Sequence, residues 1–263
     1  MDSIKSSSSF SFDRCWLVAV RCWKLNQKSW LTGLFVAAGL IFSFWLLFGF
    51  YLFDPSGPAA SVNMTAMIEG PAMFFYLIGG LALTSMIFSE VHISSRAHQF
   101  LTLPASTLEK FAATWFVTSL AFTVFTMLAI LVLSLIVELI TAVRHWEWGQ
   151  FSLFNPFSGK HLESIGNYFF YHSIFFLGAV YFRKNNFLNT VLVIIVFFIG
   201  MFILIGIGGL IIAYFMTTDL SLEVHLSELG DNLPGVIQQV FRVVVMVLLL
   251  FFSYLQLKNR QIA

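Results

Sequence analysis

Long apolar segments, separated by short polar ones, dominate this sequence. A helix that crosses a bilayer needs roughly 20 mostly apolar residues, and six runs approach or exceed that length. We therefore predict an all-α polytopic membrane protein with six transmembrane helices, which form a single domain over residues 29–257. The predicted spans are 29–53, 68–89, 111–140, 165–182, 187–216 and 236–257.

The segment before the first span has a helical period of its own. Trp16 and Trp23 fall on one side of residues 12–28, and Arg14 and Arg21 fall on another. Tryptophans opposite basic residues are typical of a helix that lies in the headgroup layer. We predict that residues 1–28 form a cytoplasmic leader with an interfacial amphipathic helix. The alternative is a basic leader that only sets the topology.

Composition and charge agree with a membrane location. Charged residues make up 10% of the chain and mean hydropathy is +0.87, whereas soluble domains carry roughly 25% charged residues. The net charge of +1 does not favour nucleic-acid binding. With the N-terminus inside, eleven of the fourteen Lys and Arg residues fall on the cytoplasmic side, two fall outside and one lies in the last span. This asymmetry predicts that both termini, including the tail 258–263, are cytoplasmic.

The longest polar break on the predicted cytoplasmic side lies between the second and third spans. Pro104 lacks an N–H and disfavours helix at the preceding residue, so it should end a helix there. Ser106 is then predicted to be an N-cap, with Glu109 as its capping-box partner. The result is a sharp elbow at the membrane surface. A turn that any polytopic protein needs would have the same features.

The segment Phe-Leu-Thr-Leu-Pro-Ala-Ser-Thr-Leu-Glu-Lys at residues 100–110 resembles a loop in permease subunits of bacterial type 2 ABC exporters. That loop follows the second span and often contains Leu-Pro-(small)-Ser followed by an acidic residue. The resemblance implies that residues 90–110 are a cytoplasmic coupling loop that docks on a separate ATPase. The residues carried over to this role are Arg96, Phe100, Leu103, Pro104, Ser106 and Glu109.

The same resemblance implies the partners and the location of the chain. Two permease halves would pair, as identical copies or as related chains, in the bacterial cytoplasmic membrane and in contact with its lipid. ATP and Mg²⁺ would bind to the ATPase subunit, so no cofactor is expected on this chain. The outer loop 217–235 matches, in position and length, a short helix that helps to close the outer gate in that family.

Motifs for chemistry on the chain itself are lacking. The fragment Phe157-Ser-Gly-Lys160 lacks the upstream glycine and the following Ser or Thr of a P-loop, and neither a His-Glu-x-x-His nor a Gly-x-Ser-x-Gly motif occurs. We therefore predict a transport subunit without a catalytic site. His172 stands alone in its span, where a hydrogen-bonded packing role is favoured over a ligand or proton-relay role.

Charged residues within spans are candidate functional groups because an unpaired charge in lipid is unfavourable. Glu138 and Arg242 lie at comparable depth in the third and sixth predicted spans, so we hypothesise an intramembrane ion pair between them. Alternatively, each side chain reaches the membrane surface by itself.

A second functional interpretation keeps the topology without ATP coupling. The chain would then be a non-transport membrane protein, such as a sensor partner, an immunity factor or an assembly factor. On the transport interpretation, the 32 phenylalanines would line a path for an apolar substrate, or they would simply face acyl chains. The sequence leaves the substrate and the direction of transport open.

Overall fold

The regular structure of the described part of this chain is helical. The computed structural model describes residues 10–48, 64–88, 103–145, 152–217 and 235–262. Long apolar runs without interior proline, apart from Pro71, account for most of these helices. They are α1 Phe12–Trp45, α2 Met64–Met86, α3 Thr107–Phe116, a π-helical turn Val117–Ala121, α4 Phe122–His145, α5 Gly159–Tyr181, α6 Asn186–Thr217 and α7 Gly235–Ile262.

Contacts at the helix ends show how the bundle alternates in direction. Glu69, near the start of α2, lies 3.7 Å from Nε2 of His161 at the start of α5. At the opposite end, Nδ2 of Asn186, the first residue of α6, donates to the Ser85 carbonyl near the end of α2 at 3.3 Å. We call the end at which α1, α3 and α6 begin the near end, and the opposite end the far end.

Among the residues that the structure describes, five helical segments are long and apolar enough to cross a membrane, and they make this a multi-pass membrane protein. Four correspond to predicted spans, and the fifth, the first in the chain, combines the first span with the leader. The predicted span at 165–182 falls in α5, which is not among the five because polar residues interrupt it, including Asn167 and His172. The five segments are Phe12–Phe48, Met67–Met86, Thr107–Val143, Asn186–Tyr214 and Ile237–Asn259.

The structure does not separate the predicted surface helix over residues 12–28 from the first span. α1 continues without a break through the predicted boundary at Ser29. No glycine or proline occurs in α1 before Gly33, so the local sequence contains no residue that would end a helix there. The basic segment is the N-terminal part of the first long helix, and it buries Val18 and Cys22 against neighbouring helices.

The predicted tail and outer loop have different outcomes. α7 continues through the predicted tail to Ile262, and the cytoplasmic location of the tail stays a prediction. Most of the predicted outer loop 217–235 lies outside the described residues, so its resemblance to a gate helix stays a prediction.

α5 is the central helix of the bundle. Its buried side chains include Tyr168, His172 and Phe176, which have no solvent-accessible surface. By contrast, none of the most apolar part of α6 is buried. The more polar helix is therefore enclosed by other helices, and the most apolar helix is left on the outside, as expected in lipid.

A tight turn joins α5 to α6. Asn185 adopts a left-handed conformation with φ 49°, which asparagine tolerates better than most residues. The two helices then pack closely, because Gly178 faces the Thr190 side chain directly and the rings of Phe175 and Phe187 lie 5.4 Å apart. The two helices therefore lie side by side and run antiparallel.

We expect Gly178→Ala to lower the free energy of unfolding by about 1–2 kcal/mol, because a Cβ there would collide with Thr190. Gly166→Ala on the same helix is the control. A Cβ at Gly166 meets nothing within 4 Å, so that change should be neutral or stabilise by up to about 1 kcal/mol. Unfolding in mixed micelles measures both variants. Adding Thr190→Ala to Gly178→Ala should restore part of the loss, and equal effects at the two glycines would contradict the close packing.

Candidate functional site

The elbow before α3 is tied to the start of α1 by one buried carboxylate. Glu109 has no solvent-accessible surface. Its Oε1 accepts from the Ser11 backbone N–H at 2.7 Å and from Nη2 of Arg14 at 2.9 Å, and its Oε2 accepts from the Ser106 backbone N–H at 2.8 Å. We call these four residues, Ser11, Arg14, Ser106 and Glu109, the clamp.

The local sequence explains one half of the clamp. Ser106 has an extended conformation and its side chain accepts from the Glu109 backbone N–H at 3.2 Å. The Glu109 side chain returns to the Ser106 N–H, which completes a capping box. The predicted N-cap and capping box are therefore confirmed, and α3 begins where the pattern places it.

The other half of the clamp comes from Ser11 and Arg14, which lie 98 and 95 positions away from Glu109. The carboxylate is fully covered while the Arg14 side chain is 35% exposed, so the charge pair is asymmetric. Hydrogen bonds from two backbone N–H groups and a guanidinium satisfy a buried carboxylate that would otherwise be strongly unfavourable. The beginnings of α1 and α3 are thus held together at the near end.

The structure describes only part of the predicted coupling loop. Arg96 and Phe100 lie outside the described residues, so their predicted role as contacts stays a prediction. Leu103 is half-buried and Pro104 is exposed directly before the clamp. Leu108, on the first turn of α3, is 47% exposed. The described part of the elbow therefore presents apolar side chains beside a rigidly held helix start.

A second buried polar cluster lies in the bundle centre, next to the π-helical turn. The Tyr168 hydroxyl donates to the Thr118 carbonyl at 2.6 Å, and Nε2 of His172 lies 2.9 Å from Oγ1 of Thr118. The Tyr76 hydroxyl lies 2.9 Å from Oγ1 of Thr123. π-helical turns are rare and often mark functional sites, and this one offers a backbone carbonyl to a side chain of α5.

His172 is part of this cluster as a packing residue. Its ring stacks on Phe176 at 5.4 Å and contacts Tyr168 at 5.7 Å between centroids. Its Nδ1 is buried and has no hydrogen-bond partner in the part of the chain that the structure describes. One hydrogen bond and two ring contacts agree with the packing role that was favoured from the sequence.

A charged group at the far end ties α2 to α5. Glu69 lies 3.9 Å from Nζ of Lys160 and 3.7 Å from Nε2 of His161. The other ring nitrogen of His161 lies 2.7 Å from both Oγ of Ser158 and the carbonyl of Asn155. These contacts fix the start of α5 against α2.

Arg242 is placed against α5. Its Nη1 donates to Oδ1 of Asn167 at 3.1 Å, and Glu138 is buried on α4. The geometry favours Asn167 as the partner of Arg242, and the hypothesised pairing with Glu138 stays a prediction. Among the described residues, no group of three His, Cys, Asp or Glu side chains could hold a metal ion.

Comparison of the chain with protein-family models, with curated proteins and with solved structures returns no match.

Two features of the site were not predicted from the sequence. Arg14 was assigned only to the basic face of a surface helix, and Thr118 was not singled out. The sequence holds no signal for Arg14, because the burial of Glu109 that calls for a cation is known only from the structure. The π-helical turn has no local signal either, because nothing in Val-Thr-Ser-Leu-Ala separates it from an ordinary helix.

Proposed function

We propose that this chain is the membrane-spanning permease subunit of a bacterial ABC exporter of the type 2 class. A separate cytoplasmic ATPase would dock on the elbow at residues 90–110 and drive alternating access. The observation that carries the proposal is the clamp. It adds a rigid attachment to α1 to the short motif on which the resemblance rests.

The clamp suits an element that transmits force. A loop linked only to its own two spans would bend when pushed, whereas this elbow begins a helix whose first turn is bonded to α1 through Glu109 and Arg14. A displacement of the elbow would move the starts of α1 and α3 together. ATP-driven closure of two ATPase subunits could thereby rock the helix bundle between inward-facing and outward-facing states.

The proposal includes six membrane crossings with both termini in the cytoplasm. α5 has 23 residues, which at about 1.5 Å per residue exceed the roughly 30 Å hydrocarbon core. Its central polar side chains Tyr168, His172 and Ser173 are buried by neighbouring helices, so a crossing would not expose them to lipid. The near end would be cytoplasmic, since most Lys and Arg residues fall there.

The proposed assembly contains two permease chains, either identical or related. The most apolar part of α6 is unburied within one chain, which leaves surface for both lipid and a second permease. ATP and Mg²⁺ would bind on the ATPase subunits. The substrate is not part of the proposal.

Co-purification tests the docking role of the elbow. The chain is expressed with its native neighbouring genes, extracted in mild detergent, and any bound ATPase is scored by mass spectrometry. We expect an ATPase to accompany the wild type and to be reduced at least about tenfold by Phe100→Asp with Leu103→Asp, because two charges in an apolar docking surface disfavour binding.

The control variant is Leu153→Asp, which places one such charge on an exposed leucine (46%) in the segment before α5 at the far end. It should retain the ATPase. If no ATPase binds the wild type although both chains are expressed, the permease proposal is wrong, and a non-transport membrane role takes its place.

A further inference from the structure

The π-helical turn Val117–Ala121 interrupts one long helix. α3, the turn and α4 follow one another without a break. In an α-helix the Phe122 N–H would donate to the Thr118 carbonyl. Here it donates to the carbonyls of Val117 and Ser119 instead. Regular α-helical bonding is therefore lost at one point, and helices kink at such points.

Side-chain hydroxyls weaken the same stretch of helix. Thr114, Thr118 and Ser119 each donate their O–H to the carbonyl four residues earlier, at 2.6–2.9 Å. Such bonds compete with the backbone N–H groups for their acceptors, and they often bend helices. These three residues lie directly before the π-helical turn or within it, so bending is favoured at this place.

Two other helices hold the turn at its present angle. The Tyr168 hydroxyl, from α5, donates to the Thr118 carbonyl at 2.6 Å. Gly80, on α2, makes room for the tyrosine, because a Cβ there would lie 2.5 Å from the Tyr168 ring and 2.7 Å from the Phe122 ring. The angle is thus fixed by a bond from α5 whose geometry depends on the missing side chain at residue 80.

The helices on the two sides of this bond are joined to different partners at the near end. The first turn of α3 is joined to the start of α1 by the clamp. α5 is joined to α2 and α6, because Nδ2 of Asn186 donates to the carbonyls of Ser85 and Ala179, both at 3.3 Å. A bend at the π-helical turn would therefore move α3 and the start of α1 together, relative to α2, α5 and α6.

We propose that Val117–Ala121 is a hinge and that Tyr168 is the positioning residue that holds it. Leu108 lies ten residues before Thr118, which is about 15 Å at a rise of about 1.5 Å per residue. A bend of about 20° would move the start of α3 by about 5 Å. The hinge does not depend on the proposed transport function.

Distances between pairs of spin labels test the proposal by double electron–electron resonance on the full chain in nanodiscs. One pair joins Leu108 on α3 to Leu188 on α6, which are 47% and 64% exposed. Cys15→Ala with Cys22→Ala is the background for labelling. We expect a narrow distance distribution for the wild type. Tyr168→Phe should populate a second distance, shifted by up to about 5 Å.

The share of this second population should rise about fivefold, which is the change in a two-state ratio that one hydrogen bond produces. Tyr171→Phe is the matched control, because it removes a hydroxyl from an exposed position of the same helix, and it should give the wild-type distribution. A second label pair, Leu128 on α4 with Leu188, lies on the other side of the turn. It should not change in any variant, and it reports that the bundle is folded.

Gly80→Ala tests the same bond without removing the hydroxyl. Its Cβ would push the Tyr168 ring away from the turn, so it should produce the same second population as Tyr168→Phe. Gly79→Ala is its control, since a Cβ at Gly79 meets nothing within 4 Å.

Three results would overturn the proposal. The first is an unchanged distribution between Leu108 and Leu188 in Tyr168→Phe. The second is an equal change in both label pairs, which would mean that the whole bundle loosens and that no hinge lies at the turn. The third is an equal effect of Tyr168→Phe and Tyr171→Phe.

Discussion

Replacing Tyr168 with alanine is expected to lower the free energy of unfolding by about 3–5 kcal/mol. Tyr168 is fully buried at the bundle centre. Its ring contacts Tyr76 at 4.7 Å and Phe122 at 5.8 Å between centroids. The truncation would leave a cavity among these rings and would also leave the Thr118 carbonyl without its hydroxyl donor.

Two further variants separate packing from hydrogen bonding. Tyr168→Phe keeps the ring and removes only the hydroxyl donor, so it should lower the free energy of unfolding by about 1–2 kcal/mol. Tyr171→Ala is the control, since Tyr171 lies one turn away on the same helix and is 43% exposed; it should lose no more than about 0.5 kcal/mol. Unfolding in mixed micelles measures all three. Similar losses at Tyr168 and Tyr171 would mean that α5 is not the central helix.

Replacing Glu109 with alanine is expected to lower the free energy of unfolding by about 2–3 kcal/mol. Three donors, the N–H groups of Ser11 and Ser106 and the guanidinium of Arg14, lose their acceptor. The loss stays below that of a fully buried ion pair, because the Arg14 side chain is 35% exposed and can turn towards water.

The clamp also predicts how its partners respond. Arg14→Ala should lower the free energy of unfolding by about 1 kcal/mol, because the backbone N–H groups still donate to the Glu109 carboxylate. Glu163→Ala, at an exposed glutamate on α5, should change stability by less than about 0.5 kcal/mol. In Glu109→Ala, limited proteolysis should cut the start of α1 faster than in the wild type. An unchanged digestion pattern would show that the clamp does not hold α1.

One half of the clamp could be predicted from the sequence, and the other half could not. The capping box between Ser106 and Glu109 spans three residues, so local pattern predicts it correctly. Arg14 and Ser11 reach Glu109 only because α1 begins beside α3, and no spacing in the sequence encodes that proximity. The local half of the site was therefore predictable, and the half that joins two helices was not.

In α1 and α5, too, local sequence and helix packing determine different features of the fold. A basic, tryptophan-containing segment was expected to lie on the membrane surface, but helix continuity depends on local stop signals, and none occurs before Gly33. In α5, Asn167 and His172 lower the apolar character of a predicted span. Only packing against other helices explains why such a polar helix lies at the centre.

The sequence by itself determined that this is an all-helical, multi-pass membrane protein with a capped helix start after Pro104. Apolar run length, proline and capping residues act over a few positions, so their effects can be derived from neighbouring residues. The tertiary structure alone decided that Glu109 joins two helices and that Tyr168 binds a carbonyl in a π-helical turn. Each of these depends on helix ends and faces that meet across about 50 to 100 residues and that only packing brings together.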